Sequence, residues 1–170
     1  VVYSHRLAEA TRLNIQQMLL NEGYLHAAVD LETLVNEEKR RAKVTYYLHE
    51  KERYYISEFN MESEDSVVAA IIMADSLSST IRPGMPFSVD GMEAERRRVT
   101  DLLRNNGYYR FQKDYITYIA DTAHHSNRVN LTMNVAMFTP APNENPVEHK
   151  TYRINKVYFV SGAGLRFDEQ

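Results

Sequence analysis

Residues 101–109 (DLLRNNGYY) and residues 17–25 (QMLLNEGYL) are two versions of the same stretch, and they decide the fold. Each has leucines at the end of an amphipathic run, followed by a Gly-Tyr turn. Aligning Gly23 with Gly107 and Tyr24 with Tyr108 gives an offset of 84 (107 − 23). A self-match at one offset over about twenty residues indicates a tandem repeat.

The first repeat predicts a helix followed by two strands. Ser4 fits an N-cap, and the apolar spacing predicts a helix over about residues 5–21 that Gly23 ends. Alternating apolar residues over 27–35 predict a strand, and the charged run 36–40 predicts a turn. A second alternation over 42–48 predicts the partner strand.

The second repeat predicts the order β-α-α-β-β. Its predicted elements are a strand over 54–61, a helix over about 66–77, a break at Pro83-Gly84 and Pro86, a helix from Ser88 to Gly107, a strand over 113–120, a turn over 121–127 and a strand over 129–137. The last strand has the most regular alternation in the chain.

A third repeat is predicted to start near the end of the sequence. Three prolines in residues 139–150 indicate a linker. Residues 151–157 then echo residues 53–59, with an offset of 98 between Tyr54 and Tyr152 (152 − 54). We therefore divide the chain into the end of one unit (1–52), a complete unit (53–138), the linker (139–150) and the first strand of a third unit (151–170).

Composition excludes several classes of protein. A net charge of −3 gives no basic surface for nucleic acid, and the absence of cysteine excludes disulfides and thiolate metal sites. No apolar run reaches the roughly 18 residues of a membrane-spanning helix. The chain opens almost directly on a helix cap, without a signal peptide, so we expect it to be a fragment of a longer protein.

These features resemble the polypeptide-transport-associated (POTRA) domain. That family has a second helix ending in leucines, a Gly-Tyr turn, two antiparallel strands and an aromatic-x-Ile junction that opens the next domain. Here the matching residues are Leu102, Leu103, Gly107-Tyr108, the strand 129–137 and the junctions Tyr54-Tyr55-Ile56 and Tyr152-Arg153-Ile154. The resemblance implies an α+β fold in which each unit is a three-stranded sheet covered on one face by two helices.

The resemblance also implies a function. POTRA arrays belong to outer-membrane assembly proteins of the BamA/TamA type and to two-partner secretion transporters, in which they precede a membrane β-barrel. It implies a periplasmic location, partners that are unfolded outer-membrane clients or accessory assembly proteins, no cofactor, no metal and no catalysis. The alternative is a structural spacer in the cell envelope that binds no client.

An open strand edge is the predicted working surface, because strand addition binds through main-chain hydrogen bonds and tolerates many sequences. The strand after each Gly-Tyr turn is the predicted edge, over 27–35 in the first unit and 113–120 in the second. The candidate residues of the second edge are Lys113, Tyr115, Thr117 and Ile119. Their apolar face contacts either a partner or the unit's own helices, and the sequence leaves both open.

Other candidate sites have simpler interpretations. His124-His125 with Asp121 offers too few ligands for a structural metal, and we expect a surface turn. Glu93 and Glu95 are predicted to be solvated, without an apolar pocket to separate their pKa values. The run 96–98 (RRR) is predicted to form ion pairs on a solvated helix.

Overall fold

The first unit consists of one helix and one hairpin. The computed structural model describes residues 3–122 and 126–159, and in it helix α1 (His5–Asn21) precedes strands β1 (Ala28–Asn36) and β2 (Arg41–His49). The two strands are antiparallel, with Val29 opposite Leu48. Leu19 of the helix packs with Ala27 and Val29 in a small buried cluster. The predicted helix-strand-strand order is confirmed.

The second unit has the predicted β-α-α-β-β order. Its elements are β3 (Tyr55–Ser63), α2 (Ser66–Ala74), α3 (Val89–Asn105), β4 (Ile116–Thr122) and β5 (Arg128–Val135). The sheet order is β3-β5-β4, in which β5 is parallel to β3 and antiparallel to β4. The last strand of the unit therefore lies in the middle, and the strand after the Gly-Tyr turn lies at an edge.

The two helices cover one face of this sheet. Every second residue of β5 is buried: Val129, Leu131, Met133 and Val135. Val68 and Ile72 of α2 and Val99 and Leu103 of α3 pack with Met133 in the main core. The apolar face of β5 thus packs against the apolar faces of α2 and α3. The α+β fold class, with a three-stranded sheet under two helices, is confirmed.

Both helices of the second unit begin at side-chain caps. The Asp65 carboxylate accepts a hydrogen bond from the Val68 N–H at 3.1 Å, and the Ser88 hydroxyl oxygen accepts one from the Gly91 N–H at 2.9 Å. Helix α2 ends at Ala74, earlier than predicted, and a 3₁₀ turn covers Ser76–Ser78. The Ser78 hydroxyl donates to Asp75, which stabilises this turn in place of another helical turn.

The predicted strand over 113–120 begins three residues later than predicted. Lys113–Tyr115 forms a 3₁₀ turn, and the strand starts at Ile116. In this turn the Tyr115 ring packs against Phe111 with ring centroids 5.5 Å apart. A local aromatic contact therefore overrides the alternation of the sequence, and Lys113 and Tyr115 do not lie on the edge strand.

The predicted linker is packed against the second unit. We call residues 139–150 the connector. An antiparallel bridge joins Phe138 to Val147, and the His149 N–H donates to the Asp65 carboxylate at 2.8 Å. The His149 ring lies 4.8 Å from Tyr115 and 4.9 Å from Phe111. Of the predicted third unit, residues 151–159 are described and contain no assigned strand.

Candidate functional site: the sheet edge and the two joints

Strand β4 is an open edge of the second sheet. The Ala136 N–H donates to the Tyr115 carbonyl at 2.8 Å, which continues the register that pairs Thr117 with Asn134. Hydrogen-bonded pairs alternate along an antiparallel ladder. Thr117 and Ile119 therefore direct their backbone groups to β5, and Ile116, Tyr118 and Ala120 direct theirs outward.

The two faces of β4 differ in burial. Ile116 is buried under the helices, and the half-buried Tyr118 donates its hydroxyl to the Met92 carbonyl at 3.1 Å. Burial also raises the pKa of Tyr118. Thr117 and Ile119 lie on the opposite face, and 57% of Ile119 is exposed. One face of β4 therefore packs on the unit's own helices, and the face with Thr117 and Ile119 is exposed.

The other edge of the sheet, β3, is partly covered. The Ile56 N–H donates to the Met85 carbonyl, and the Gly84 N–H donates to the Ile56 carbonyl, both at 2.8 Å. Farther along, β3 carries Glu58 and Glu62, which are both exposed. Covering loops and charged side chains protect an edge against strand addition. Strand β4 has neither over 116–120, so it is the better candidate for a docking edge.

The first joint connects the two units through Gly23. We define it as residues 22–26 with Arg53, Tyr54 and Phe87. The Tyr54 N–H donates to the Gly23 carbonyl at 2.9 Å, and Gly23 has φ +95°, which favours glycine. A Cβ at Gly23 would lie 2.3 Å from the Phe87 carbonyl oxygen, so no side chain fits there.

Side-chain contacts also stabilise the first joint. The Arg53 guanidinium donates to the Glu22 carbonyl at 2.8 Å and to its carboxylate at 3.0 Å, and it lies 5.6 Å from the Tyr24 ring centre. His26 Nε2 lies 2.9 Å from the Tyr54 hydroxyl oxygen. Leu25 packs against the core cluster of the second unit that contains Tyr54, Phe87 and Leu131.

The second joint repeats this backbone geometry. We define it as residues 107–110 with Thr151 and Tyr152. The Tyr152 N–H donates to the Gly107 carbonyl at 2.7 Å, and Gly107 has φ +93°. Arg110 lies 5.5 Å from the Tyr152 ring centre, in the position that His26 has beside Tyr54. The repeat markers Gly23, Tyr24, Gly107 and Tyr108 therefore lie at equivalent places within the two joints.

The prediction that Glu95 is solvated is wrong. Only 1% of Glu95 is exposed, and its carboxylate accepts hydrogen bonds from the Thr80 N–H at 2.7 Å and from Arg98 at 2.7 Å. Burial raises the pKa of Glu95, but the hydrogen bonds from Arg98 and Thr80 outweigh it and lower the pKa overall. Arg98 also pairs with Asp75. The cluster ties the turn after α2 to α3, so its role is structural.

The described part of the chain contains neither a candidate metal site nor a candidate membrane-spanning helix. No group of three or more His, Cys, Asp or Glu side chains that could hold a metal lies in residues 3–122 and 126–159. His124 and His125 lie outside these ranges. Among the same residues, no helix is long and apolar enough to cross a membrane.

Sequence reasoning missed His26, Arg53, Phe87 and His149. The aligned repeats contained a signal for the first joint, because Arg53 directly precedes the junction Tyr54-Tyr55-Ile56 and His26 lies two residues after Tyr24. No signal marked His149, because its contacts to Asp65 and Ala136 join residues far apart in the chain.

Comparisons with known proteins identify the fold. No family model matches the sequence, and no curated protein matches it. Solved structures do match it, among them BamA POTRA3-5 from Haemophilus influenzae (16% identity, TM-score 0.54) and BamA from Haemophilus ducreyi lacking POTRA domains 1-3 (18% identity, TM-score 0.50). The alignments cover 85% and 79% of this chain, and 63% and 23% of those chains. The chain therefore has the fold of POTRA domains.

Proposed function

We propose that the chain is a periplasmic scaffold of an outer-membrane β-barrel assembly protein, and that it docks client polypeptides or accessory subunits without catalysis. The observation that carries this proposal is the open edge of β4. Its outward backbone groups belong to Ile116, Tyr118 and Ala120, and the neighbouring Ile119 side chain is 57% exposed. An extended segment added there gains main-chain hydrogen bonds and an apolar contact.

Photo-crosslinking tests this proposal with a matched control. A photoreactive residue at Ile119 is compared with one at Asn60, which lies in the same row of the sheet on the opposite edge, since both residues pair with Thr132. With an unfolded outer-membrane barrel polypeptide, we expect crosslinks from position 119 and few from position 60. Equal crosslinking at both positions would contradict strand addition at β4.

A proline substitution can block strand addition at the β4 edge without disturbing the sheet itself. Ala120→Pro removes an outward N–H and leaves the ladder to β5 intact, whereas Ile119→Pro removes a ladder bond. We expect Ala120→Pro to abolish the crosslink from a probe at Thr117 and to leave the circular dichroism spectrum unchanged. If Ala120→Pro retained the crosslink, clients would not dock by adding a strand to β4.

The second candidate function is a spacer that only holds other parts of the envelope apart. The two joints favour it, because backbone hydrogen bonds at Gly23 and Gly107 fix how each unit meets the next segment. A pure spacer gives no crosslinks to unfolded clients from position 119 or position 60.

A further inference from the structure

The two faces of the β4 edge differ in chemistry as well as in burial. Tyr118 and Ile119 are neighbours on β4, so their side chains lie on opposite faces of the sheet. The Tyr118 hydroxyl donates to the Met92 carbonyl of α3, whereas Ile119 is 57% exposed on the face without helices. A strand added to β4 would therefore have one row of side chains beside Tyr118, under α3, and the other row beside Ile119.

Arg96 of α3 covers the helix side of this edge. Its guanidinium carbon lies 5.4 Å from the centre of the Tyr118 ring, and 23% of its side chain is exposed. Among the described residues, Nη1 donates to the Glu93 carboxylate, and the buried Nε has no hydrogen-bond partner. A guanidinium has five N–H donors. Arg96 therefore has donors left at the place where an added strand would pair with Tyr118.

These neighbours favour a polar side chain in the row under α3. A residue of an added strand that lies beside Tyr118 would cover the Arg96 guanidinium and separate it from water. An apolar residue there would leave N–H donors unpaired, which is unfavourable, whereas a hydroxyl, amide or carboxylate oxygen would accept from them. Beside Ile119 the preference is reversed, because an apolar cross-strand neighbour would bury part of the exposed isoleucine.

We propose that β4 distinguishes the two faces of its client strand, with polar residues held under α3 by Arg96 and apolar residues held beside Ile119. This inference rests on the docking edge of the proposed function and assigns the face and the register of the bound segment. Strands of transmembrane β-barrels have this alternation, with apolar residues toward lipid and polar residues toward the lumen. Because a slip by one residue exchanges the two faces of a strand, the two arrangements can be told apart by experiment.

Disulfide trapping tests the inference, because the chain contains no cysteine. Thr117→Cys places one thiol on the exposed face that also carries Ile119. Two synthetic peptides of about ten residues alternate Thr and Val, and each has one cysteine, in the Val row of the first peptide and in the Thr row of the second. We expect Thr117→Cys to trap the first peptide several-fold faster than the second. Equal trapping of both peptides would overturn the inference and leave docking at β4 intact.

A second substitution identifies the side chain responsible. Arg96→Met keeps an unbranched stem against Tyr118 and removes the donors, so the ratio of the two trapping rates should fall to about one. The matched control is Arg97→Met, because Arg97 is exposed and lies on a different side of α3, and this variant should keep the preference. Circular dichroism checks that both variants fold. A preference that survives in Arg96→Met would overturn the inference, whereas a wild-type edge that traps neither peptide would overturn the proposed docking itself.

Discussion

The two joints have the same backbone geometry and different surroundings. At the first joint, Tyr54 and Phe87 are buried in the core of the second unit, and Leu25 packs against them. At the second joint, Tyr152 is 44% exposed and contacts Tyr109 and Arg110. The comparison shows that the glycine turn and its hydrogen bond occur at both joints, whereas within the described residues only the first joint is buried in the core of the unit that follows it.

At the second joint, contacts made by the connector replace part of the burial that stabilises the first joint. Three residues, 50–52, separate β2 from the first joint, whereas the connector covers residues 139–150. His149 fixes the connector between Asp65 and three aromatic rings, those of Phe111, Tyr115 and Phe138. The second joint is therefore stabilised from the preceding unit, and the first joint from the following one.

Removing the two equivalent tyrosines should give the largest difference. We expect Tyr54→Ala to cost about 4 kcal/mol, because it opens a cavity in the second core. Tyr152→Ala should cost about 1 kcal/mol or less, because its ring is half exposed and makes only aromatic and cation contacts. Urea unfolding of both variants measures the difference, and similar costs would show that the second joint is as buried as the first.

Alanine at the joint glycines separates backbone strain from crowding. Left-handed φ values cost alanine about 1 kcal/mol at Gly23, Gly84 and Gly107 alike. Gly84 has nothing within 4 Å of an ideal Cβ, so Gly84→Ala measures strain alone. We expect about 3 kcal/mol for Gly23→Ala, because its methyl group also meets the Phe87 carbonyl.

Gly107→Ala should cost about as much as Gly84→Ala in the 170-residue chain, on the order of 1 kcal/mol. Amide hydrogen exchange at Tyr54 and Tyr152 reports each joint separately. Faster exchange at Tyr152 in Gly23→Ala, without faster exchange at Tyr54, would contradict the assignment of the two joints.

Glu95 provides a perturbation of the second unit that touches neither joint. Glu95→Gln should lower the free energy of unfolding by about 2 kcal/mol at neutral pH, because charge-assisted hydrogen bonds from Arg98 are lost. The folded pKa of Glu95 lies below its usual value of 4.5. Its contribution is therefore present above pH 4.5 and is lost as the pH falls through the lowered folded pKa.

The measurement is denaturant unfolding of wild type and Glu95→Gln from neutral pH into the acid range. The two curves should converge below pH 4.5. A difference that stays constant across this range would show that the Glu95 charge does not stabilise the fold.

His149→Ala should have a small effect, similar to that of Tyr152→Ala, and should weaken the second joint and not the first. Loss of the ring contacts and of the Nε2–H hydrogen bond to the Ala136 carbonyl should cost about 1 kcal/mol and speed amide exchange at Tyr152. The control is Lys51→Ala, at the position equivalent to His149 by the offset of 98 (149 − 98). Lys51 is exposed, so that variant should leave exchange at Tyr54 unchanged.

Local patterns predicted the elements well where one interaction dominates. The alternation of β5 and the glycine after each long helix gave the right element type and nearly the right bounds, because burial and left-handed φ act on neighbouring residues. Prediction was less accurate at Lys113–Tyr115, where the ring contact to Phe111 replaces the first residues of a strand. The apolar alternation there could not reveal which ring Tyr115 would meet.

Charged residues show the same limit. Glu95 and Glu93 are nearly adjacent on one helix, and sequence gave both the same solvated interpretation. Helix α3 turns Glu95 toward Thr80 and the turn after α2, where Arg98 compensates its burial. Only the fold brings those residues together, because Thr80 lies in the loop after α2 and Glu95 lies 15 residues later, inside α3.

The sequence by itself determined the repeat, the β-α-α-β-β order and the glycine turns, since each depends on residues within a few positions of one another. The tertiary structure decided that β5 lies between β3 and β4, that the β3 edge is partly covered whereas β4 is open, and that the connector packs on the second unit. It also showed that the Phe87 carbonyl lies against Gly23. Within the described chain, the residues near Gly107 are Thr151 and Tyr152, and no counterpart of Phe87 lies there. These features depend on contacts between distant residues, which no local pattern encodes.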